Sequence, residues 1–384
     1  MAHTRHKTSS NQLNINIMEN LMNRKLKQLI IIGLAAAPAL ALADTANVSV
    51  YGKADMSYDF INTGTSAAGA AGVSKNAVSS NVSKLGFKGS EGLGDGLSAI
   101  WQIEQQINMD NTGGTLGTRN TFLGLKSDSA GTVLLGRHDT PYKLATRKLD
   151  VFGDSIADNR ALLGGVTSPT TVDSAYSAFD GRQPDVIAYI SPDMNGFTGA
   201  IAYVNLKETN TTAAQAKSSA LSLAGMYKAG ALYGGFGYEK HELSSILGTK
   251  ESAWKLGLGY DFSPFALGFV YEKTDDNAGA LGANARGHNA YYFSGKYKMG
   301  MDAVKLAYGK AGQHGATANT GANQFSLGYD HGMSKRTKLY AIYSRINNNS
   351  ASDYGFSQST ASAGTVNGIG SSPSVISLGM QHNF

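Results

Sequence analysis

Short segments in which apolar side chains alternate with small or polar ones recur along this chain from residue 48 to its end. In 254–261, the even positions hold Trp, Leu, Leu and Tyr, whereas the odd positions hold Lys, Gly, Gly and Asp. A period of two residues is typical of a β-strand whose two faces meet different surroundings. The segments 265–272, 304–309 and 324–330 repeat the pattern. Each strand is therefore expected to have one apolar face and one face of small or mostly polar side chains.

The number of these segments and the lengths of their connections indicate how the strands are arranged. Sixteen can be placed, near 48–60, 78–90, 96–108, 117–127, 131–137, 182–191, 196–206, 220–229, 231–241, 251–262, 265–274, 288–299, 302–311, 322–331, 336–346 and 373–384. Short turns alternate with long connections, which include 61–77, 138–181, 207–219, 274–287 and 347–372. A transmembrane β-barrel shows this alternation, with its short turns on the periplasmic side. We therefore predict an all-β fold, a sixteen-stranded antiparallel transmembrane β-barrel with both termini periplasmic.

A soluble β-sandwich is the alternative arrangement, because it would bring two apolar faces together. The alternation of turn lengths favours the barrel, and closure leaves no unpaired strand edge in lipid. A sixteen-stranded barrel is wide enough to leave an aqueous channel. A connection as long as 138–181 inside a compact fold usually has a function. On length alone, we predict that it folds into the lumen as a constriction loop.

The first 43 residues have the pattern of an export signal. A basic stretch at 22–27 precedes an apolar run at 29–40, and Ala-Leu-Ala at 41–43 forms a small-x-small cleavage site. These three features predict a secretory signal peptide that is removed, which leaves a barrel of residues 44–384. The run is too short for a membrane helix, and no polar face interrupts it as in a buried amphipathic helix. Translation is predicted to begin at Met18 or Met22, with an N-terminal extension before it.

Charge excludes one class of partner. The whole chain carries a formal charge of +5, but residues 44–384 contain 28 Lys and Arg against 27 Asp and Glu. No global basic field remains that would favour nucleic acid binding. The chain has no cysteine, which fits an exported protein without disulfides.

Several motifs resemble the general porins of β-proteobacteria, the neisserial-type Gram-negative porin family. They are Val48–Gly52, Ser83–Leu97, Gly131–Arg137 with Thr140–Tyr142, Asp158–Arg160, Arg182–Pro192 with Gly196-Phe197, and Leu378–Phe384. The resemblance spans essentially all of 44–384. It implies a general diffusion porin, a water-filled outer-membrane channel for small hydrophilic solutes and ions. It also implies a homotrimer with a third extracellular loop in the lumen.

Two departures from the family pattern make a relative's solute preference unsafe to transfer. Lys84 stands where members often carry Arg. The lysine keeps the positive charge, but it cannot donate the pair of parallel hydrogen bonds that a guanidinium group offers. Pro184-Asp185 follows Arg182 where members commonly have Asn. A proline is tolerated near the end of a strand but not in the middle of a ladder.

Charged residues on and facing the long loop predict the ion preference. We expect loop residues Asp150, Asp154, Asp158 and Arg160 to lie opposite wall cations Lys84, Arg119 and Arg137, so that a transverse field crosses the pore. Lys88 is a further wall candidate. Charged linings set ion selectivity, and a Debye length of about 8 Å at physiological salt screens a pore only partly. Since the wall positions matched to the family are basic, we predict weak anion selectivity.

The C-terminal strand ends in Phe384, which by resemblance is a recognition signal for the barrel-assembly machinery. The expected surroundings are outer-membrane lipid and lipopolysaccharide, and no cofactor, metal site or catalytic residue is predicted.

Three rival interpretations stay open. An outer-membrane hydrolase could use His138, Asp139 and Ser155, although no nucleophile elbow or metal-spaced His pair occurs. A substrate-specific channel would show a track of aromatic or cationic side chains in the lumen. An adhesin barrel could use the Ser-, Asn- and Gly-rich loop 347–372. The glycine-rich stretch 92–96 is predicted to be a turn, because it joins two strands and precedes no helix.

Overall fold

The computed structural model describes residues 47–110, 116–164, 179–205, 219–242, 250–275, 287–362 and 364–384. These residues form one antiparallel sheet of 17 strands. The strands are β1 (Asn47–Asn62), β2 (Ser74–Ser80), β3 (Lys84–Gly94), β4 (Leu97–Gln106), β5 (Thr121–Ser127), β6 (Gly131–Asp139), β7 (Arg182–Ile190), β8 (Phe197–Asn205), β9 (Ser219–Ala229), β10 (Leu232–Glu242), β11 (Lys250–Phe262), β12 (Phe265–Asp275), β13 (Asn289–Met299), β14 (Asp302–Ala311), β15 (Ala322–Gly332), β16 (Thr337–Asn348) and β17 (Ser374–Asn383). The predicted signal peptide lies outside the described residues.

The sheet closes on itself. The last strand, β17, pairs with β1 from Lys53–Asn383 to Asn62–Ser374. Both β2 and β3 pair along the opposite edge of β1, so together they occupy one position in the barrel. The result is a closed antiparallel barrel of sixteen strand positions, which confirms the predicted fold.

The second barrel position is interrupted, although the alternating pattern predicts one strand over 78–90. Residues 81–83 leave the ladder, and Val82 has a φ of 53°, an uncommon value for a β-branched residue. The Asn81 amide donates to the Ser57 hydroxyl at 2.8 Å and to the Tyr340 hydroxyl at 3.0 Å. These side-chain bonds replace backbone pairing at the break.

Pro184 lies where the ladder is also irregular. The register between β6 and β7 shifts between Gly136 and His138, and Asp185 has a φ of 54°. Neither Pro184 nor Asp185 pairs with β8, since that pairing begins at Val186. The proline therefore removes no ladder hydrogen bond.

The two faces of the sheet differ as the sequence pattern predicts. On β11, Leu256 and Leu258 point outward and are 40% and 48% exposed. Lys255 and Gly257 lie on the opposite face of the strand, where both are buried. Aromatic rings cluster at strand ends, as the stack of Phe262, Phe265 and Tyr297 shows with centroid distances of 5.6 and 4.8 Å. An apolar outer band with aromatic girdles is typical of a transmembrane barrel.

The chain between β6 and β7 contains the short helix α1 (Pro141–Thr146) and 3₁₀ turns at Arg147–Leu149 and Asn159–Ala161. Proline at the first helical position favours this start. We call residues 140–181, of which 140–164 and 179–181 are described, the inner loop. A further 3₁₀ turn lies at Thr360–Ser362. Within the described ranges, no helix is long and apolar enough to cross a bilayer.

Candidate pore constriction

The inner loop is anchored to the inner face of the barrel by side chains that alternate with the exposed apolar residues. The Tyr233 hydroxyl donates to the Ala145 carbonyl at 2.6 Å, and the Ser294 hydroxyl donates to the Leu149 carbonyl at 2.7 Å. At the end of the described stretch, the Gly164 amide donates to Glu272 at 2.8 Å. Because these anchors lie on β10, β12 and β13, the loop covers one side of the lumen wall.

Glycines make room for the loop on that wall. The backbone of Ala145 and the side chains of Leu149, Leu162 and Phe152 fill the space that a Cβ would need. We define the glycine strip as the inner-face residues Gly235, Gly237, Gly257, Gly259, Gly268, Gly309 and Gly328. The sequence shows these glycines on the small or polar face, but nothing in the alternation alone says that a loop lies against them.

The carboxylates predicted in the loop are neutralised mainly within the loop itself. Arg147 reaches three of them, at 3.4 Å from Asp150, 2.8 Å from Asp154 and 2.8 Å from Asp158. Arg160 adds bonds to Asp158 at 3.0 Å and to Asp154 at 3.3 Å. Asp158 also accepts the backbone N–H groups of Asp154 and Arg160. Two arginines and three aspartates thus hold the loop in one shape.

Burial distinguishes the three aspartates. The side chains of Asp150 and Asp158 are fully buried, whereas that of Asp154 is 32% exposed. Burial and the neighbouring Asp158 raise the pKa of Asp150 to about 6. Burial opposes ionisation of Asp158 too, but Arg160 and Arg147 outweigh it and hold its pKa well below the usual range. Asp154 is therefore the loop carboxylate best placed to meet solvent.

On the opposite wall, Glu104 of β4 joins two of the predicted cations. It accepts from Arg119 at 2.6 Å and from Lys84 at 3.1 Å, and the Tyr51 hydroxyl donates to it at 2.9 Å. Nearby on β1, the Lys53 ammonium lies 3.2 Å from Asp55. We call Lys53, Lys84, Glu104 and Arg119 the wall cluster. Sequence reasoning missed Glu104 and Lys53, although alternation places both on the polar face of their strands.

The other predicted wall residues contact neighbours of this cluster, namely Thr118, which precedes Arg119, and Tyr51, which bonds to Glu104. Arg137 is next to the register shift of β6, and its guanidinium donates to the Thr118 carbonyl at 3.0 Å. Lys88 lies over the Tyr51 ring, 5.2 Å from its centroid.

A second ionic group lies at the base of the inner loop. Asp139 accepts from Lys143 at 2.7 Å and from Arg182 at 3.0 Å. Burial lowers the pKa of Lys143 to about 8, although Asp139 opposes that shift. This group fixes the start of the loop to the start of β7.

Loop and wall are close enough to act on each other electrostatically. Burial raises the pKa of Asp154, but Arg147 together with Lys53 and Arg119 of the facing wall outweighs burial, so that the pKa is lowered. Asp154 therefore interacts with cations of the facing wall.

The side chains considered for hydrolysis are engaged separately. The Ser155 hydroxyl donates to the Phe152 carbonyl at 2.6 Å, whereas the His138 ring lies 2.8 Å from the Asp139 carbonyl. Among the described residues, no group of three or more His, Cys, Asp or Glu side chains could hold a metal ion.

The loop that follows β16 folds inward over the barrel mouth. Tyr354 and Phe356 are buried, and the Thr360 hydroxyl accepts from the Ser80 backbone N–H at 2.9 Å. The Asn367 amide donates to the Ala71 carbonyl at 2.8 Å. These contacts tie the loop to the neighbouring connections around the mouth.

A closed barrel with an apolar outer band and a charged inner face, narrowed by its own loop, is a channel-forming outer-membrane protein. The chain belongs to the Gram-negative porin family, whose sequence profile matches residues 31–351. It forms an outer-membrane diffusion channel, as the sequence pattern and the family resemblance predict.

Individual relatives agree with this membership. The chain is 26% identical over 364 residues to outer membrane porin protein 32 of Delftia acidovorans, covering 93% of this chain and 99% of that protein. It is 27% identical over 322 residues to major outer membrane protein P.IB of Neisseria meningitidis serogroup B, covering 81% and 90%. The structure of the anion-selective porin from Comamonas acidovorans superposes with a TM-score of 0.74 at 25% identity, covering 88% of this chain and all of that one.

Proposed function

We propose that this channel is weakly anion-selective and that its selectivity is determined by Asp154 of the inner loop together with the wall cluster. The excess of cations there carries the proposal, because Lys84 and Arg119 share a single carboxylate, Glu104, while Lys53 is paired with Asp55. A similar porin of known structure is described as anion-selective, which supports the same sign.

The sites proposed for the constriction differ in role. Lys84 and Asp154 would meet passing ions, whereas the buried Arg119 would act on them through its charge. The buried Asp150 and Asp158 would act by fixing the loop with Arg147 and Arg160. Arg137, which bonds to the Thr118 carbonyl beside Arg119, would contribute through its charge.

Reversal potentials test this assignment. Refolded residues 44–384 in a planar bilayer should give large ohmic steps and an anion-signed reversal potential that fades as salt rises. The variant Lys84→Gln, Arg119→Gln, Arg137→Gln should shift the reversal potential toward cations. A matched control, Lys126→Gln, removes an exposed charge near the β5–β6 turn and should leave it unchanged. An unchanged potential in the triple variant would contradict the proposal.

The route to the membrane is a further part of the proposal. Residues 1–43 would direct export and be removed. Residues 44–384 would assemble as a homotrimer among outer-membrane lipid and lipopolysaccharide. The barrel-assembly machinery would recognise Phe384. Deletion of Phe384 should lower the amount of assembled trimer in cells and leave export unaffected. Normal assembly would refute that role.

The channel is proposed to have no enzymatic activity and to need no cofactor. Pure protein should release no product from lipid or ester substrates, and hydrolysis that Ser155→Ala abolishes would overturn this. Flux of any single sugar or anion should rise linearly with concentration, whereas saturation would indicate a substrate-specific channel.

A further inference from the structure

A cavity of about 330 Å³ lies at the short-turn end of the barrel, between the β13–β14 turn and the β15–β16 turn. Short turns mark the periplasmic side. Five cationic side chains line this cavity, together with the amides of Gln381 and Asn383 near the C-terminus: Lys296, Lys298, Lys335, Arg336 and Lys338. We call it the rim cavity.

The rim cavity opens beside the lumen. Lys296 lies two residues from Ser294, whose hydroxyl bonds to the inner loop, and Lys338 lies two residues from Tyr340, whose hydroxyl bonds to Asp55. Since side chains two apart on a strand point to the same face, both lysines belong to the inner wall. A solute at the periplasmic mouth would therefore pass next to them.

The two carboxylates at the cavity do not balance its charge. Asp330 is shared between Lys338 at 3.0 Å and Lys305 at 2.9 Å. Asp302 is bound by the Tyr329 hydroxyl at 2.8 Å and the His331 ring at 2.9 Å. The cation Lys298 is paired with Asp261, 3.3 Å away.

Three cations of the cavity have no acidic partner within the described ranges, namely Lys296, Lys335 and Arg336. Like charges held together repel one another, and an anion with two or more charges would relieve that repulsion. Arg offers a planar fork to phosphate or carboxylate, and Lys offers a point charge. A cavity of this size is at the small end of ligand pockets, so it suits a compact solute rather than a protein segment.

We propose that the rim cavity binds a compact polyvalent anion, one that carries several phosphate or carboxylate groups, at the periplasmic mouth of the channel. Such a site would hold multiply charged solutes next to the pore at low ionic strength. Its side chains come from β13–β17 and their turns and do not include the wall cluster, although Asn383 pairs with Lys53, and the site goes beyond weak anion selectivity.

Calorimetric titration of refolded protein tests the site. Inorganic tripolyphosphate is the probe, at about 20 mM salt, where screening is weak. Citrate in a parallel titration distinguishes the phosphate from the carboxylate form of the ligand. The test variant is Lys296→Gln with Arg336→Gln, which removes one cation from each side of the cavity. The control variant is Lys126→Gln with Lys228→Gln, which removes two lysines from strand ends at the same rim, outside the cavity.

We expect the test variant to lower the affinity for tripolyphosphate by about tenfold, as the loss of charge-assisted contacts implies, and the control variant by less than about twofold. Equal losses in both variants, or none in the test variant, would overturn the proposal in favour of a diffuse field. Absence of binding to the unmodified protein would also overturn it. Conductance of both variants, recorded in parallel, shows that they are folded and separates failure of this site from failure of the channel.

Discussion

The carbonyl oxygen of Ala145, at the end of the first turn of the inner loop, lies directly against Gly235 of β10, in the position that a Cβ would occupy. The Tyr233 hydroxyl holds the same carbonyl at 2.6 Å. The path of the loop therefore depends on a missing side chain in the wall. The adjacent Gly234 has no heavy atom within 4 Å of its own Cβ position.

Gly235→Ala should therefore displace α1 and change the width of the passage, whereas Gly234→Ala should not. We expect Gly235→Ala to cost about 1–3 kcal/mol through overpacking and to change single-channel conductance. Thermal unfolding and conductance of the two variants, measured side by side, check this. Identical conductance in both would show that the glycine strip does not set the loop position.

Neutralising Glu104 should have the opposite effect from neutralising its cationic partners. Glu104→Gln leaves Arg119 and Lys84 without their shared carboxylate. At roughly 8 Å in water, one unit charge is worth about 0.5 kcal/mol to a passing ion, and screening over a Debye length of about 8 Å reduces this to about 0.2 kcal/mol. Since loss of the carboxylate favours the anion and disfavours the cation by this amount each, the anion-to-cation permeability ratio should rise about twofold. Reversal potentials under a salt gradient measure it. An unchanged ratio would show that Glu104 does not act on the ion path.

The selectivity should also depend on pH through Asp150, because its pKa is raised to about 6. Protonation below pH 6 removes one negative charge from the loop, so anion preference should be larger at pH 4.5 than at pH 7.5. Asp150→Asn should abolish that part of the change.

The matching effect on stability has a defined sign. The pKa of Asp150 in the fold lies above the unfolded value of about 3.9. The stability linked to this carboxyl is therefore fully present below pH 4 and is lost as the pH rises through about 6. A loss of stability as the pH falls through 6, absent from Asp150→Asn, would contradict the assignment.

The barrel could be predicted from sequence because each strand repeats the same two-residue period. The predicted segment 265–274 is observed as Phe265–Asp275, and 302–311 as Asp302–Ala311. The break at 81–83 could not be predicted, because it depends on bonds from Asn81 to residues far away in the chain. The alternation indicates on which face of the sheet a residue lies, but not which residue it contacts there.

The constriction was only partly predictable for the same reason. The sequence predicts Asp154 and Arg119 as opposed charges, and Arg119 contributes to lowering the pKa of Asp154 in the fold. It did not show that Arg147 neutralises Asp154 and Asp158, because the three lie in irregular backbone without a fixed spacing. Whether these residues sort ions stays a prediction for the recordings above.

The last residue of the chain depends on a glycine of the first strand. Phe384 and Gly52 exchange backbone hydrogen bonds of 2.9 and 3.1 Å, and the Phe384 ring covers the position of a Cβ at Gly52. Gly52→Val should push the ring away from the seam where the barrel closes, and it also brings the new side chain against the Lys84 carbonyl oxygen. Overpacking of this kind costs about 1–3 kcal/mol, which should lower the unfolding temperature of refolded protein.

Two further variants isolate the contact. Gly92→Val adds the same side chain where no heavy atom lies within 4 Å of the Cβ position, and it should leave the unfolding temperature nearly unchanged. Gly52→Val combined with Phe384→Ala should lose less stability than the sum of the two single changes, because the clash with the ring is gone and only the contact with the Lys84 carbonyl oxygen remains. Refolding in detergent keeps the assembly machinery out of the measurement. Additive losses in the double variant would show that the ring and the glycine act independently.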